Sequence, residues 1–196
     1  MKDIKGIKVI FGGSFNPPTK AHFEIAKTVI EKFQVVDFIF LPTGNVYNKA
    51  NLIDAKYRIE MLQLLCDKLN NASVSDYEMR QTKYLGTYKT LEDFRGYYFL
   101  MGADNFITLP QWINYPNVVI NNKFIVINRD GIDCLKFMKE EDIIYEYKDN
   151  FIFVDDFKEI DISSSKYHQT KDKNLLLEEI NFYIEKQNLY NKVIKK

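Results

Sequence analysis

His22 and His168 are the only histidines in the chain, and each stands in a segment rich in small and hydroxyl residues. His22 closes the run GGSFNPPTKAH, which begins at Gly12 and follows the apolar stretch KVIF. His168 ends ISSSKYH, which begins at Ile162 and carries Ser163 and Ser164. Hydroxyl, imidazole and backbone N–H donors beside a glycine turn suit phosphoryl oxygens, whose developing charge they can stabilise. Gly12 and Gly13 let a ligand approach the backbone closely, and Pro17 and Pro18 stiffen the way into a helix. Thr19 is the expected N-cap. That places His22 in the first helical turn, on the same face as Thr19. Unpaired N–H groups and the helix dipole then make an anion site. A plain strand-to-helix connection is the structural alternative for the same pattern. The chain has neither GxxxxGK[ST] nor GxGxxG, so it carries no P-loop and no dinucleotide fingerprint.

Strands and helices must hold these residues in place, and the chain alternates between the two. KVIF, DFIFLP, ASVSDYEM, YYFLMG, KFIVINR and NFIFVDD read as strands. AHFEIAKTVIEKF reads as a helix with Phe23, Ala26, Ile30 and Phe33 inward. DAKYRIEMLQLLCDKL is expected to be a second, capped by Asp54, with Ile59, Leu62, Leu65, Cys66 and Leu69 as its inner stripe. YKTLEDF, CLKFMKEEDIIYEY and NLLLEEINFYIEKQNLY complete the helices, and ITLPQWINY is a short helical piece broken near Pro110. Near-continuous apolar strands, each followed by a helical segment, indicate a parallel sheet covered on both faces, a doubly wound α/β fold. Ligands of such sheets lie beyond the carboxyl ends of the strands. The segments after the strands, residues 12–22, 42–49 and 102–112 and the stretch after FIFVDD, are the places to inspect.

At 196 residues the chain suits one domain, residues 1–196, closed by a C-terminal helical element. Lys+Arg and Asp+Glu each total 27, so there is no net charge to favour a nucleic-acid surface. Cys66 and Cys134 are far apart among apolar residues and read as reduced core thiols, not as a metal site or a disulfide. The apolar run in MKDIKGIKVIF is too short for a signal peptide, and no segment reaches transmembrane length. A cytoplasmic protein without membrane or nucleic-acid partners is expected. The sequence assigns no oligomeric state.

GGSFNPPTKAH resembles the signature of the nucleotidyltransferase superfamily that carries a His/Thr-x-Gly-His motif. More narrowly it resembles the nicotinate-nucleotide adenylyltransferase family. The motif here is Thr19-Lys20-Ala21-His22, with Ala21 where the family usually has Gly. LPTGNVYNKANLIDAKYRIEML is similar to the family's second strand and loop, LMGADNFITLPQW to its GAD-x-x-x-x-L-x-x-W element, and ISSSKYH to its Ile-Ser-Ser-x-x-x-Arg motif, with His168 in the Arg position. The resemblance runs from about Lys8 to Tyr190.

The resemblance implies a Rossmann-like nucleotidyltransferase fold and adenylyl transfer from ATP to nicotinate mononucleotide, with pyrophosphate leaving. His22 and Thr19 would then act on the α-phosphate. Gly12, Gly13, Ser14, Phe15, Asp104, Ser163, Ser164 and His168 would bind ATP, Asp104 through the adenylate ribose. Lys49, Thr87 and Trp112 would bind the mononucleotide, Trp112 as a platform for the pyridine ring. Mg²⁺ would come with ATP, bound by phosphates and water without a dedicated protein cage. Each residue also has a plainer reading: Asp104 as a helix cap, Trp112 as core, Lys49 as a solvated loop residue. Two other functions fit the same residues. One is transfer to nicotinamide mononucleotide or another acceptor. The other is nucleotide binding without catalysis, and pyrophosphate release with a panel of mononucleotides separates it from the enzymes.

Overall fold

The computed structural model describes residues 4–46, 52–128, 131–155, 157 and 161–190. Six strands form one sheet: β1 (Lys8–Gly13), β2 (Asp37–Pro42), β3 (Ala72–Val74), β4 (Tyr97–Gly102), β5 (Lys123–Ile127) and β6 (Phe151–Val154). Their order is β3-β2-β1-β4-β5-β6, and every pairing is parallel. The helices are α1 (Lys20–Phe33), α2 (Ala55–Cys66), α3 (Thr87–Asp93), α4 (Ala103–Phe106), α5 (Asn117–Ile120), α6 (Cys134–Glu140), α7 (Asp142–Glu146), α8 (Ser164–Thr170) and α9 (Glu178–Lys186). Among the described residues no helix is long and apolar enough to cross a membrane.

Alternation along each strand sorts its side chains to two faces. Val9 and Phe11 of β1, with Phe38 and Phe40 of β2, pack under α1, α2, α8 and α9. Ile10, Phe99, Met101, Phe124 and Val126 pack on the other face against Leu91, Phe106, Val118 and Ile144 from α3, α4, α5 and α7. Both faces are therefore dry, which is why the strands read as unbroken apolar runs. The doubly wound parallel sheet expected from the sequence is the fold observed. The order reverses direction between β1 and β4, and that switch opens a crevice at the carboxyl ends of the strands.

Several elements differ from their expected form. The third strand ends at Val74. Residues Tyr77–Arg80 turn as a 3₁₀ helix, started by the Ser75 hydroxyl, which accepts the Tyr77 N–H at 3.2 Å. CLKFMKEEDIIYEY breaks at Glu141, which is extended (φ −106°, ψ 104°) and serves both as C-cap of α6 and N-cap of α7. In α2 the buried positions are Ala55, Arg58, Met61, Leu62, Leu65 and Cys66, while Ile59 and Leu69 are half-buried. Asp54 caps the helix as expected, its carboxylate accepting the Lys56 N–H at 2.8 Å.

Both cysteines are buried. Burial pushes the Cys66 thiol up to about 12 and Cys134 to about 11, so at pH 8 neither is a thiolate nucleophile. A disulfide-exchange reagent at pH 8 is expected to label no thiol in the native protein and both in denaturant. Rapid labelling of native protein would contradict the burial.

Candidate active site

A cleft of about 570 Å³ lies at the carboxyl ends of β1 and β4. The Gly12–Phe15 turn forms one wall, Asp104 and Trp112 another, and Ser163–Ser165 reach it from the start of α8. His22 and Thr87 also line it. Ten of the residues singled out in the sequence thus converge on one crevice: Gly12, Gly13, Ser14, Phe15, His22, Thr87, Asp104, Trp112, Ser163 and Ser164. Lys49 lies outside the described residues. A Cβ on Gly12 would come within 2.8 Å of the Phe99 ring, so glycine there serves the packing of β1 on β4 as well as the cleft.

Thr19 is the N-cap of α1 and His22 is its third helical residue. The Thr19 backbone N–H donates to His22 Nδ1 at 2.9 Å, and Thr19 Oγ1 lies 2.9 Å from the same nitrogen. The imidazole takes the place that Glu or Gln holds in a capping box. Phe15 and Phe11 flank the ring at centroid distances of 5.0 and 6.0 Å. Thr19 itself is fully buried and is not on the cleft wall. Its hydroxyl faces the imidazole and not the cleft.

His168 departs from its expected place in the same way. Its Nε2–H donates to the Asn16 carbonyl at 2.7 Å, its ring packs edge-on against Tyr190 at 5.2 Å, and it does not line the cleft. Tyr190 donates its hydroxyl to Asn16 Oδ1 at 2.9 Å. The Ser164 hydroxyl donates to the Pro17 carbonyl at 2.8 Å, while Ser163 caps α8 by accepting the Lys166 N–H at 3.1 Å. The C-terminal motif thus splits by position. Its serines face the cleft, and its histidine fastens α8 to the loop between β1 and α1.

Two residues that sequence reasoning missed shape the crevice. Arg58 of α2 is fully buried. Its Nε donates to the Ile53 carbonyl at 3.0 Å, Nη1 to the Ser14 carbonyl at 2.9 Å, and Nη2 to the Thr43 carbonyl at 2.6 Å. One guanidinium therefore joins the loops after β1 and β2 to the start of α2. Burial lowers its pKa, and the neighbouring Tyr190, Asp54 and Glu78 act against that. Glu78, on the 3₁₀ turn, lines the cleft and accepts the Thr90 hydroxyl at 3.3 Å. Burial raises its pKa, while the Gly44 N–H, Thr90 and Arg58 favour the carboxylate. A Cβ on Gly44 would stand 2.2 Å from the Glu78 carbonyl oxygen, so only glycine fits there. No motif marks Glu78. For Arg58 the one signal was a cation inside an apolar helix stripe.

On the opposite wall, Trp112 donates Nε1–H to Thr108 Oγ1 at 3.1 Å and meets Phe99 edge-on at 6.0 Å. The indole is held at both ends while remaining half-buried at the cleft. Thr87 opens α3 after Gly86, whose φ of +91° suits glycine. Asp104 is exposed in the first turn of α4. The assembly offers backbone N–H groups, hydroxyls, an imidazole and an aromatic face. These are the means to hold a nucleotide and stabilise charge on a phosphoryl group.

The cytidylyltransferase-like family matches residues 10–170. A probable nicotinate-nucleotide adenylyltransferase of Clostridium acetobutylicum is 34% identical over 197 residues, covering 93% of this chain and 98% of that protein. Its counterpart in Acholeplasma laidlawii is 32% identical, covering 94% and 98%. Among solved structures, the Plasmodium falciparum nicotinic acid mononucleotide adenylyltransferase complexed with NaAD superposes with a TM-score of 0.77 at 21% identity, over 97% of this chain and 100% of that one. That likeness extends to the whole sheet and its helices.

Proposed function

The chain belongs to the cytidylyltransferase-like family and, within it, to the nicotinate-nucleotide adenylyltransferases, and from that premise we propose the reaction its cleft performs. It transfers the adenylyl group of ATP to nicotinate mononucleotide. A phosphate oxygen of the mononucleotide attacks the α-phosphorus, the bond to the β-phosphate oxygen breaks, and pyrophosphate leaves. The product is nicotinate adenine dinucleotide, and no residue is modified on the way. The observation that carries this reading is His22, held at the start of α1 beside the Gly12–Phe15 turn and on the wall of the cleft. It donates to an α-phosphate oxygen as charge builds there.

The remaining residues position the two substrates. Backbone N–H groups of the Gly12–Phe15 turn lie along the ATP phosphates, with the start of α8 opposite. Asp104 takes the adenylate ribose, and Trp112 stacks on the pyridine. Thr87 and the N–H groups at the start of α3 favour the nicotinate carboxylate over the amide. On the resemblance alone, Lys49 is assigned to the phosphate of the mononucleotide. Among the described residues no group of three or more His, Cys, Asp and Glu could hold a metal. Mg²⁺ would come with ATP, held by phosphate oxygens and water, and would supply positive charge beside the leaving pyrophosphate. The same reading assigns the reaction to the cytoplasm, where ATP is available.

Incubation with ATP, Mg²⁺ and nicotinate mononucleotide is expected to yield dinucleotide and pyrophosphate in equal amounts. ATP binding without turnover on any mononucleotide would leave a binding protein. kcat/KM for the acid is expected to exceed that for the amide, and the reverse order would remove the acid-specific assignment. Trp112→Ala is expected to raise KM for either mononucleotide about tenfold, the usual worth of a base stacked on an aromatic ring. KM for ATP should change little. Unchanged acceptor KM would move the pyridine elsewhere in the cleft.

A further inference from the structure

On that reading His22 is a hydrogen-bond donor to phosphate, and the turn around it determines which nitrogen carries the proton. A backbone N–H can only donate, and the one on Thr19 points at Nδ1 from 2.9 Å. Nδ1 must therefore offer its lone pair. Thr19 Oγ1, 2.9 Å from the same nitrogen, then donates its own proton there. We propose that Thr19 is a positioning residue that locks His22 as the neutral Nε2–H tautomer, so that an uncharged imidazole serves as the donor to the α-phosphate.

Three features support this assignment. Thr19 is fully buried, so a proton placed on Nδ1 would strip its N–H of an acceptor that water is not there to replace. The ring occupies the first turn of α1, which holds no acidic residue and where the helix dipole opposes a positive charge. Phe15 and Phe11, with ring planes at 68° and 47° to the imidazole, fix its orientation. Nε2 is the ring nitrogen on the edge away from Thr19, and His22 lines the cleft. A backbone group and a hydroxyl thus do here what a carboxylate or carbonyl does for histidines held with the proton on Nδ1.

The test is nitrogen NMR of the full chain at pH 8 without nucleotide, using long-range correlations from the ring carbons' protons. The sequence holds only two histidines, so one substitution, His168→Gln, assigns both signals. An unprotonated Nδ1 with a protonated Nε2 on His22 is the expected result. A protonated Nδ1, alone or in an imidazolium, overturns the lock. Kinetics give a second reading. Thr19→Ser keeps the hydroxyl and should hold kcat within about threefold, whereas Thr19→Val should lower kcat about tenfold at unchanged KM for both substrates. Parental kcat in Thr19→Val would overturn the positioning role. If the valine variant does not fold, the spectra of the unmodified chain still decide. They need no substrate, so a locked ring in a chain that makes no dinucleotide would sink the reaction and keep the lock. Dinucleotide formation with a protonated Nδ1 would do the reverse.

Discussion

His22→Ala is expected to lower kcat by about a hundredfold or more while leaving the sheet and its helices in place. The loss follows from removing one preorganised donor at the α-phosphate, where charge grows only as the transition state forms. KM for ATP should therefore change far less than kcat. A smaller structural cost comes with it. Alanine leaves the Thr19 N–H without the acceptor it has at 2.9 Å, a loss of roughly 0.5–2 kcal/mol for a helix cap. In a chain of this size that lowers Tm by only a few degrees, on the order of 2–4 °C per kcal/mol. His22→Gln separates the two effects. Glutamine is a usual partner in this cap, so it should recover Tm but not the parental kcat. If either variant turns over within a few-fold of the parent, His22 is not the donor.

What could be read from the sequence was set by how local each interaction is. The alternation of apolar strands and amphipathic helices follows from both faces of the sheet being buried, and that pattern survives in any short window. The Gly12–Phe15 turn, His22 and the start of α8 were legible because a strand end, a cap and a helix start are local features. His168 was not. It falls in a motif expected to face phosphate, yet its ring bonds Asn16, 152 positions away, and only the folded chain brings them together. Thr19 was placed correctly as an N-cap, but its burial depends on how α1 packs on β1 and β2. The stripe of α2 was misread most plainly at Ile59 and Arg58. Apolarity selects Ile59, whereas the helix turns Arg58 inward, because three backbone carbonyls wait there for donors. A buried cation whose main partners are distant backbone carbonyls shows in the sequence only as an interruption of an apolar stripe.

That same cation supports the largest expected effect on stability. Arg58→Ala should destabilise the protein by about 3–5 kcal/mol, combining the cavity left by a long side chain with the loss of donors to buried acceptors. At roughly 2–4 °C per kcal/mol the fall in Tm is about 10 °C or more. Arg58→Met fills much of the volume but donates nothing. It measures the cost of leaving the Ser14, Thr43 and Ile53 carbonyls unpaired, and should retain most of the loss. Arg58→Lys keeps the charge, but one ammonium cannot reproduce a planar fork that reaches three separate segments. It should fall between the parent and methionine. Ser14 and Thr43 both line the cleft, so the variants that fold should also bind ATP more weakly than the parent. Urea denaturation of the three variants, with KM for ATP measured alongside, tests the whole chain of reasoning. A methionine variant within 1 kcal/mol of the parent, roughly the net worth of one hydrogen bond, would mean that the three carbonyls find other donors. The guanidinium would then not be what holds the two loops together.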